Sequence, residues 1–404
     1  MVIGIIGGGA SGMAAAIFAA QNPDNQVVLL ERQARLGRKL MATGNGRCNL
    51  TNLKLSDSAY HGEDPSFAEY ALTQFDTEKT LTWFEAMGLY AVSEPNGRVY
   101  PYSDQANSVV DILRLNLNKE NIVVKTAFEV EKVKKDGDRF AVSNGEETLL
   151  FDRLIVACGG LAGSKLGGTM SGYKLLGKLG HKASKLRPSL VQLKSSWPQL
   201  PALKGVRAQC SAEIFWNEQL FSKSSGEIQF TDYGLSGPVI FEISRDACVK
   251  SGRWICKLDF LPDWSEEKLV AFLQTRKNTP MPMQELFTGV LHNRLGRILT
   301  QSAGISLNGF CRELTDHEIR QLCQAVKELS VTLTEPMGMD SAQVTAGGVL
   351  TEQFDPQTME SRLVPGLYAC GEVLDIDGDC GGYNLQWAWS SGRLAGLSAG
   401  KESR

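Results

Sequence analysis

The sequence predicts an α/β fold in which a parallel sheet is assembled from both ends of the chain, with a mainly β segment between them. Three observations predict it. At the start, a buried strand runs into a glycine loop and a helix. Apolar strands of the same kind recur at 154–158 and 366–370. Between them, residues 188–262 carry short alternating runs with many turn residues, the pattern of a small β domain.

Residues 2–6 form the first strand, Gly7-Gly8-Gly9-Ala10-Ser11-Gly12 the loop, and an alanine-rich stretch ending near Asn22-Pro23 the helix. Residues 27–31 are a second buried strand, which completes a βαβ-type start. A polar, glycine-rich stretch occupies 36–52. Helical spacing follows at 77–87 and 103–118, then a strand at 122–124 and two β segments flanking Asp136-Gly137-Asp138. The strand at 154–158 ends in Gly159-Gly160. From 263 to 329 the pattern is helical: Thr315 and Glu318 form a capping box, and Ile319, Leu322, Cys323, Val326 and Leu329 continue at helical spacing. β character returns at 330–350, and the strand at 366–370 leads through a glycine-rich loop to a helix from about Asn384. Trp387 and Trp389 are expected to pack that helix.

Bulk properties narrow the function classes. A chain of 404 residues fits two or three domains. The net charge of -3 and the absence of a basic stripe argue against a nucleic-acid partner. Nine cysteines without a C-x-x-C pair argue for a reducing, cytoplasmic setting. The first residues lack a basic n-region and read as a strand, not a signal peptide. No apolar run reaches the ~18 residues that span a bilayer. The four histidines do not cluster at metal-ligand spacing, and no obligate protein partner is indicated.

Gly7-x-Gly9-x-x-Gly12 follows a strand, opens a helix, and is answered by Glu31 at the end of the next strand, the context of a dinucleotide-binding loop. Gly7 permits the turn, Gly9 lets backbone approach a pyrophosphate, and Gly12 lets helix and strand pack closely. With Ala10 and Ser11 they place the helix N-terminus on the phosphates, and Glu31 accepts from ribose hydroxyls. Three later features favour FAD over NAD: the strand ending in Cys158-Gly159-Gly160, the strand ending in Gly371-Glu372, and Gly381-Gly382-Tyr383-Asn384 opening the last helix. The N-terminus of that helix suits the flavin N1/O2 edge, where negative charge develops. Arg32 and Val130 complete the candidate cofactor-binding set.

Gly37-Arg-Lys-Leu-Met-Ala-Thr-Gly-Asn-Gly-Arg-Cys-Asn-Leu-Thr-Asn52 resembles the second motif of the HI-0933-like NAD(P)/FAD-dependent oxidoreductases, a bacterial flavoprotein family. Asn96-Gly-Arg-Val-Tyr-Pro101, Phe230-Thr-Asp-Tyr-Gly-Leu-Ser-Gly-Pro238, Val344-Thr-Ala-Gly-Gly-Val349, and Gly371-Glu-Val-Leu-Asp375 with Gly381-Gly-Tyr-Asn384 resemble further motifs, so the likeness spans the chain. The resemblance implies a Rossmann-type FAD-binding domain (1–187 and 345–404), a β-barrel-like domain (188–262 and 330–344), and a helical insert (263–329). It also implies that Arg38, Lys39 and the loop Thr43, Gly44, Asn45, Gly46, Cys48 and Asn49 line the FAD. Arg38 and Lys39 can neutralise phosphate, and Gly44 and Gly46 let backbone lie against the flavin. Members are linked to oxidation of aminoacetone with oxygen and to reduction of a carbon–carbon double bond in 3-oxo bile acids. Many relatives carry His where this chain has Asp232.

The expectation is an FAD-dependent oxidoreductase that reduces a small or steroid-like enone with NAD(P)H by hydride transfer through flavin N5. With no second G-x-G-x-x-G, NAD(P)H must dock transiently. The alternatives are an amine oxidase using oxygen, an RNA-modifying flavoenzyme, and a non-catalytic flavoprotein. Cys48 lacks a neighbouring cysteine and reads as a packing residue, which removes disulfide-reductase chemistry. Enone reduction needs a proton donor and a carbonyl polariser. Tyr383 is best placed for this by sequence; Tyr100 and Arg98, in a Gly/Pro-bounded loop, and Tyr233 are further candidates.

Overall fold

Val2–Ile6 (β1) has no charged residue and becomes the middle strand of the sheet, where neighbours on both sides exclude water. Gly7–Gly9 turns the chain into Ala10–Ala19 (α1), and Gln26–Leu30 (β2) returns beside β1 in parallel register, Ile3 against Val27 and Ile5 against Leu29. Ile122–Lys125 (β3) pairs outside β2, Arg153–Val156 (β4) pairs on the other side of β1, and Leu367–Ala369 (β5) pairs outside β4. The order β3-β2-β1-β4-β5, all parallel, is that of a doubly wound Rossmann sheet. Nearby, the antiparallel strands Lys132–Asp136, Arg139–Ser143 and Thr148–Phe151 form a meander. Its Phe151 lies where a side chain on Gly4 would be, so β1 tolerates only glycine there.

This computed structural model describes residues 1–401 and divides the chain into two units, Met1–Pro188 with Met339–Arg404, and Ser189–Gly338. In the first unit, the last helix, Tyr383–Ala399 (α2), packs on α1 through small residues. A side chain on Gly392 would strike the carbonyl oxygen of Ser11, and one on Gly396 that of Ala15. The two backbones therefore run almost in contact, in step over one turn. Trp387 and Trp389 are buried, and their indole N–H groups donate to Gly371 O at 3.2 Å and Leu50 O at 2.9 Å. These bonds anchor α2 to segments far away in sequence.

The second unit is a closed barrel. Going round it, the strands are Leu193–Ser195, Gly234–Ser236, Gln219–Phe230, Arg207–Trp216, Trp254–Asp259 and Leu329–Pro336, antiparallel throughout. Alternate side chains fill it, among them Cys210, Ala212 and Ile214 from one strand and Trp254, Cys256 and Leu258 from its neighbour. Helices Glu266–Lys277, Asn293–Ser302 and Asp316–Lys327 come between its last two strands in sequence. The Thr315–Glu318 box closes as expected, with Glu318 N donating to Thr315 Oγ1 at 3.2 Å and Thr315 N to Glu318 Oε2 at 2.7 Å. Two elements depart from the β reading of 188–262: Leu200–Leu203 is a single helical turn, and Pro238–Ala247 is a longer α-helix. Gly237 at φ 98° makes the turn, Pro238 suits the first helical position, and Val239, Ile240 and Ile243 bury one face. No helix among the described residues is long and apolar enough to cross a membrane.

The α1–α2 contact makes a stability prediction. Gly396→Val overpacks it and is expected to cost about 1–3 kcal/mol in denaturant unfolding. Gly177→Ala, in helix Ser171–Lys178 with nothing within 4 Å of the added carbon, should leave the midpoint unchanged or raise it.

Candidate cofactor site

The three loop glycines are required for different reasons. Gly7 adopts φ 112°, and a side chain there would strike Ala157 O. A side chain on Gly12 would strike Gly7 O. Both positions are closed by the protein's own packing. Gly9 is not: its φ is -82°, open to any residue, and an added carbon would meet no atom within 4 Å. It borders a cavity of about 1290 Å³, open mouth included. No side chain caps α1, and its first internal bond runs from Met13 N to Gly9 O at 3.0 Å, so the amides ahead of Met13 have no helical partner.

A second helix end opens on the same cavity. Gly381 (φ 139°) and Gly382 (φ 104°) turn the chain into α2, which also lacks a side-chain cap, and Asn384 and Leu385 line the cavity. Its first internal bond joins Gln386 N to Gly382 O at 3.0 Å. Two positive helix ends on one concave surface make an anion site with two poles.

Charged side chains are held around this surface. Glu31 accepts from Gly8 N through one oxygen and from Gln33 N through the other, each at 2.7 Å. Its carboxylate is thus fixed at the cavity wall with lone pairs left for a ligand. Lys39 Nζ lies 2.7 Å from Glu372 Oε2, and Thr345 N donates to Glu372 Oε1 at 2.9 Å. Arg32 Nη2 donates to Gly167 O at 2.9 Å, and Arg38 Nη1 to Gln33 Oε1 at 3.0 Å. Arg35, Arg38 and Lys39 put positive charge on this lining.

Most residues expected on the cofactor line this cavity. From the first motif these are Gly7, Gly9, Ala10, Ser11, Glu31 and Arg32. From later segments they are Arg38, Lys39, Thr43, Val130, Cys158, Gly159, Gly160, Glu372 and Asn384. The others stand behind the lining. Gly12 sits beneath Gly7, Gly371 against the Ser11 hydroxyl, and Gly382 against Thr51 O. Gly44, Asn45, Gly46 and Cys48 all have positive φ (58°, 58°, 86° and 64°), and after Thr43 this loop is not on the lining. Cys48 is fully buried and burial pushes its thiol up to about 12, the state of a packing residue. Asn49 Oδ1 accepts from Val99 N at 3.2 Å. Sequence reasoning missed Gly167, Gly168 and Phe128, which also line the cavity. The Gly163-Ser-Lys-Leu-Gly-Gly168 run was a readable signal; Phe128, held by its N–H to Glu31 O at 2.9 Å, was not.

The expected proton-handling residues are not on this lining. Tyr383 lies outside the lining, edge-on to Tyr60, and its hydroxyl donates to Lys54 O at 3.3 Å. Arg98 and Tyr100 belong to strand Arg98–Pro101, which pairs with Thr51–Asn52 and Ala91–Ser93. In the barrel unit, Asp232 is bonded by Lys204 at 2.7 Å, which holds its carboxyl below the ordinary range. Tyr233 is exposed beside it in sequence.

The profile of the HI0933-like protein Rossmann domain matches residues 1–398. The chain is 41% identical to a 3-dehydro-bile acid delta(4,6)-reductase of Clostridium scindens, over 98% of each chain. It is 33% identical to a ribosomal RNA dihydrouridine synthase of Escherichia coli, over 96% of this chain and 95% of the relative. The solved 3-ketosteroid delta1-dehydrogenase of Sterolibacterium denitrificans shares the fold, with a TM-score of 0.50 and 12% identity over 98% of this chain and 99% of that one.

The Gly9 geometry separates ligand from fold. Gly9→Val is expected to shift unfolding by no more than about 1 kcal/mol, the scale of a changed helix cap. It should weaken binding of added FAD by at least about 100-fold, or ~2.8 kcal/mol, in a fluorescence titration. Gly12→Val should lose both folding and binding.

Proposed function

The chain belongs to the HI0933-like family, and from that premise we propose that it is an FAD-dependent oxidoreductase that reduces a carbon–carbon double bond conjugated to a carbonyl. The observation that carries the cofactor assignment is the empty space over Gly9 between two uncapped helix ends. In this reading the amides at the head of α1 take the diphosphate, Glu31 takes the ribose hydroxyls, and Arg38 balances phosphate charge. The head of α2 faces the ring edge that becomes negative on reduction. Bound there, FAD supplies the hydride chemistry that no side chain of the protein can. NAD(P)H is assigned as a transient reductant, because no second nucleotide loop accompanies the first.

The substrate class follows from the chemistry shared by the two relatives' names. A 3-dehydro bile acid with a 4,6-diene carries its alkenes in conjugation with the 3-oxo group. Dihydrouridine is uridine saturated at the double bond conjugated to its C4 carbonyl. Each reaction delivers hydride to one alkene carbon and a proton to the other. A small or steroid-like enone is favoured by the higher identity of the bile-acid relative and by the net charge of -3, which repels RNA. The RNA reading stands second, supported by the Escherichia coli relative. None of the nine cysteines, all among the described residues, is in a disulfide, which suits the reducing cytoplasmic setting proposed here.

Purified protein is expected to carry an oxidised flavin spectrum that NADH or NADPH bleaches without oxygen. A 3-oxo-4,6-diene bile acid should restore the colour in equimolar amount. A uridine-containing ribosomal RNA fragment should do so far more slowly. Rapid reoxidation by oxygen with stoichiometric peroxide, and none by the dienone, would overturn the reductase assignment in favour of an oxidase.

A further inference from the structure

Tyr100 is 5% exposed, and its hydroxyl has no hydrogen-bond partner among the described residues. The oxygen is not among the fully buried polar atoms left without a partner, so it is open to solvent and available to a ligand while the ring is packed. The register explains what surrounds it. Val92 lies opposite Tyr100, and Tyr102 N bonds Tyr90 O at 2.8 Å, so Tyr90, Val92, Arg98, Tyr100 and Tyr102 share one face of the small sheet. Tyr90, Val92 and Tyr102 are exposed; Tyr100 is not, because the Arg47 guanidinium covers its ring at 3.8 Å. Arg47 is itself tied to Glu94 at 3.0 Å and to Asp104. From the other direction Gly44 approaches, and a side chain there would come within 3.2 Å of Tyr100 Cε1. Gly44 directly follows Thr43, which lines the cofactor cavity. The phenol is thus clamped at the edge of the segment that leads out of that cavity.

Arg98 shares the face and is also underused. Among the described residues its guanidinium makes one hydrogen bond, to Cys380 Sγ at 3.8 Å, against a capacity of five N–H donors. Tyr383, by contrast, already spends its hydroxyl on Lys54 O.

We propose that Tyr100 is the acid of the enone reduction, with Arg98 holding the substrate's carbonyl oxygen. This rests on the reductase reading above. Bound FAD would supply a hydride to the β-carbon; the alkene π bond would break, and its electron pair would pass through the α-carbon to the oxygen held by Arg98. The phenol O–H bond then breaks, the proton bonds to the α-carbon, and the carbonyl re-forms. The phenolate left behind takes a proton from water. Burial raises the Tyr100 phenol above its ordinary range, with Arg98 and Arg47 opposing, so the acid stays protonated across neutral and mildly alkaline pH.

The test mixes NAD(P)H-reduced protein with 2-cyclohexenone in a stopped-flow instrument. Tyr100→Phe keeps the ring under Arg47, and should slow flavin reoxidation by about 10²–10⁴-fold. Bleaching by NAD(P)H should be unchanged. Tyr70→Phe, at an exposed position outside the site, should match wild type. Binding of saturated cyclohexanone, read from the flavin spectrum without turnover, should survive Tyr100→Phe and weaken at least tenfold in Arg98→Gln. The wild-type rate should fall only above the ordinary tyrosine range near pH ~10. A Tyr100→Phe rate within twofold of wild type, or an equal loss in NAD(P)H bleaching, overturns the inference alone. A wild-type protein that neither cyclohexenone nor the dienone reoxidises overturns the reductase reading with it.

Discussion

The cofactor unit depends on how closely α1 and α2 approach. Gly392 and Gly396 leave no room between the helices for any side chain, and the carbonyls of Ser11 and Ala15 fill the space instead. Because α2 is pressed onto α1 in this register, its N-terminus opens on the cavity that α1 already heads. Neither helix end alone would distinguish a nucleotide from an ordinary anion. Together on one concave wall, they suit a ligand with negative charge at two places.

The cavity's electrostatics follow from this arrangement. The helix ends supply fixed positive potential without side chains that could move. The mobile cations are restrained: Lys39 by Glu372, Arg32 by a carbonyl of the Gly167 turn, Arg38 by Gln33. The acid expected to read the ribose is restrained as well, each of its oxygens taking one backbone N–H. Most of the binding surface is therefore organised in advance, which lowers the entropy lost when a ligand docks.

The parts legible in the sequence were those determined locally. Apolar strands, the Gly7–Gly12 turn, Glu31 at the end of β2 and the Thr315 capping box each follow from residues within a few positions of one another. What could not be read depends on contacts distant in sequence. Helix Pro238–Ala247 lies in a stretch rich in strand formers, and only Gly237-Pro238 betrays it. The loop after Thr43 carries a cofactor-like composition, but its four left-handed residues, which no local pattern announces, are not on the cavity lining. By sequence Tyr383 looked better placed as an acid than Tyr100; what sets them apart in the structure lies in Lys54 O and in the Arg47 guanidinium, both brought in by tertiary structure.

The order of elements along the chain has a consequence for biosynthesis. β1, β2 and β4 leave the ribosome early, but β5 and α2 emerge only after the whole barrel has been translated. A nascent chain can therefore build the N-terminal glycine turn while the wall of the pocket made by Glu372 and the head of α2 is still unmade. Loading of the cofactor must wait for the final segment, and until then the apolar flank of α1 that α2 will cover is a surface for chaperones to shield.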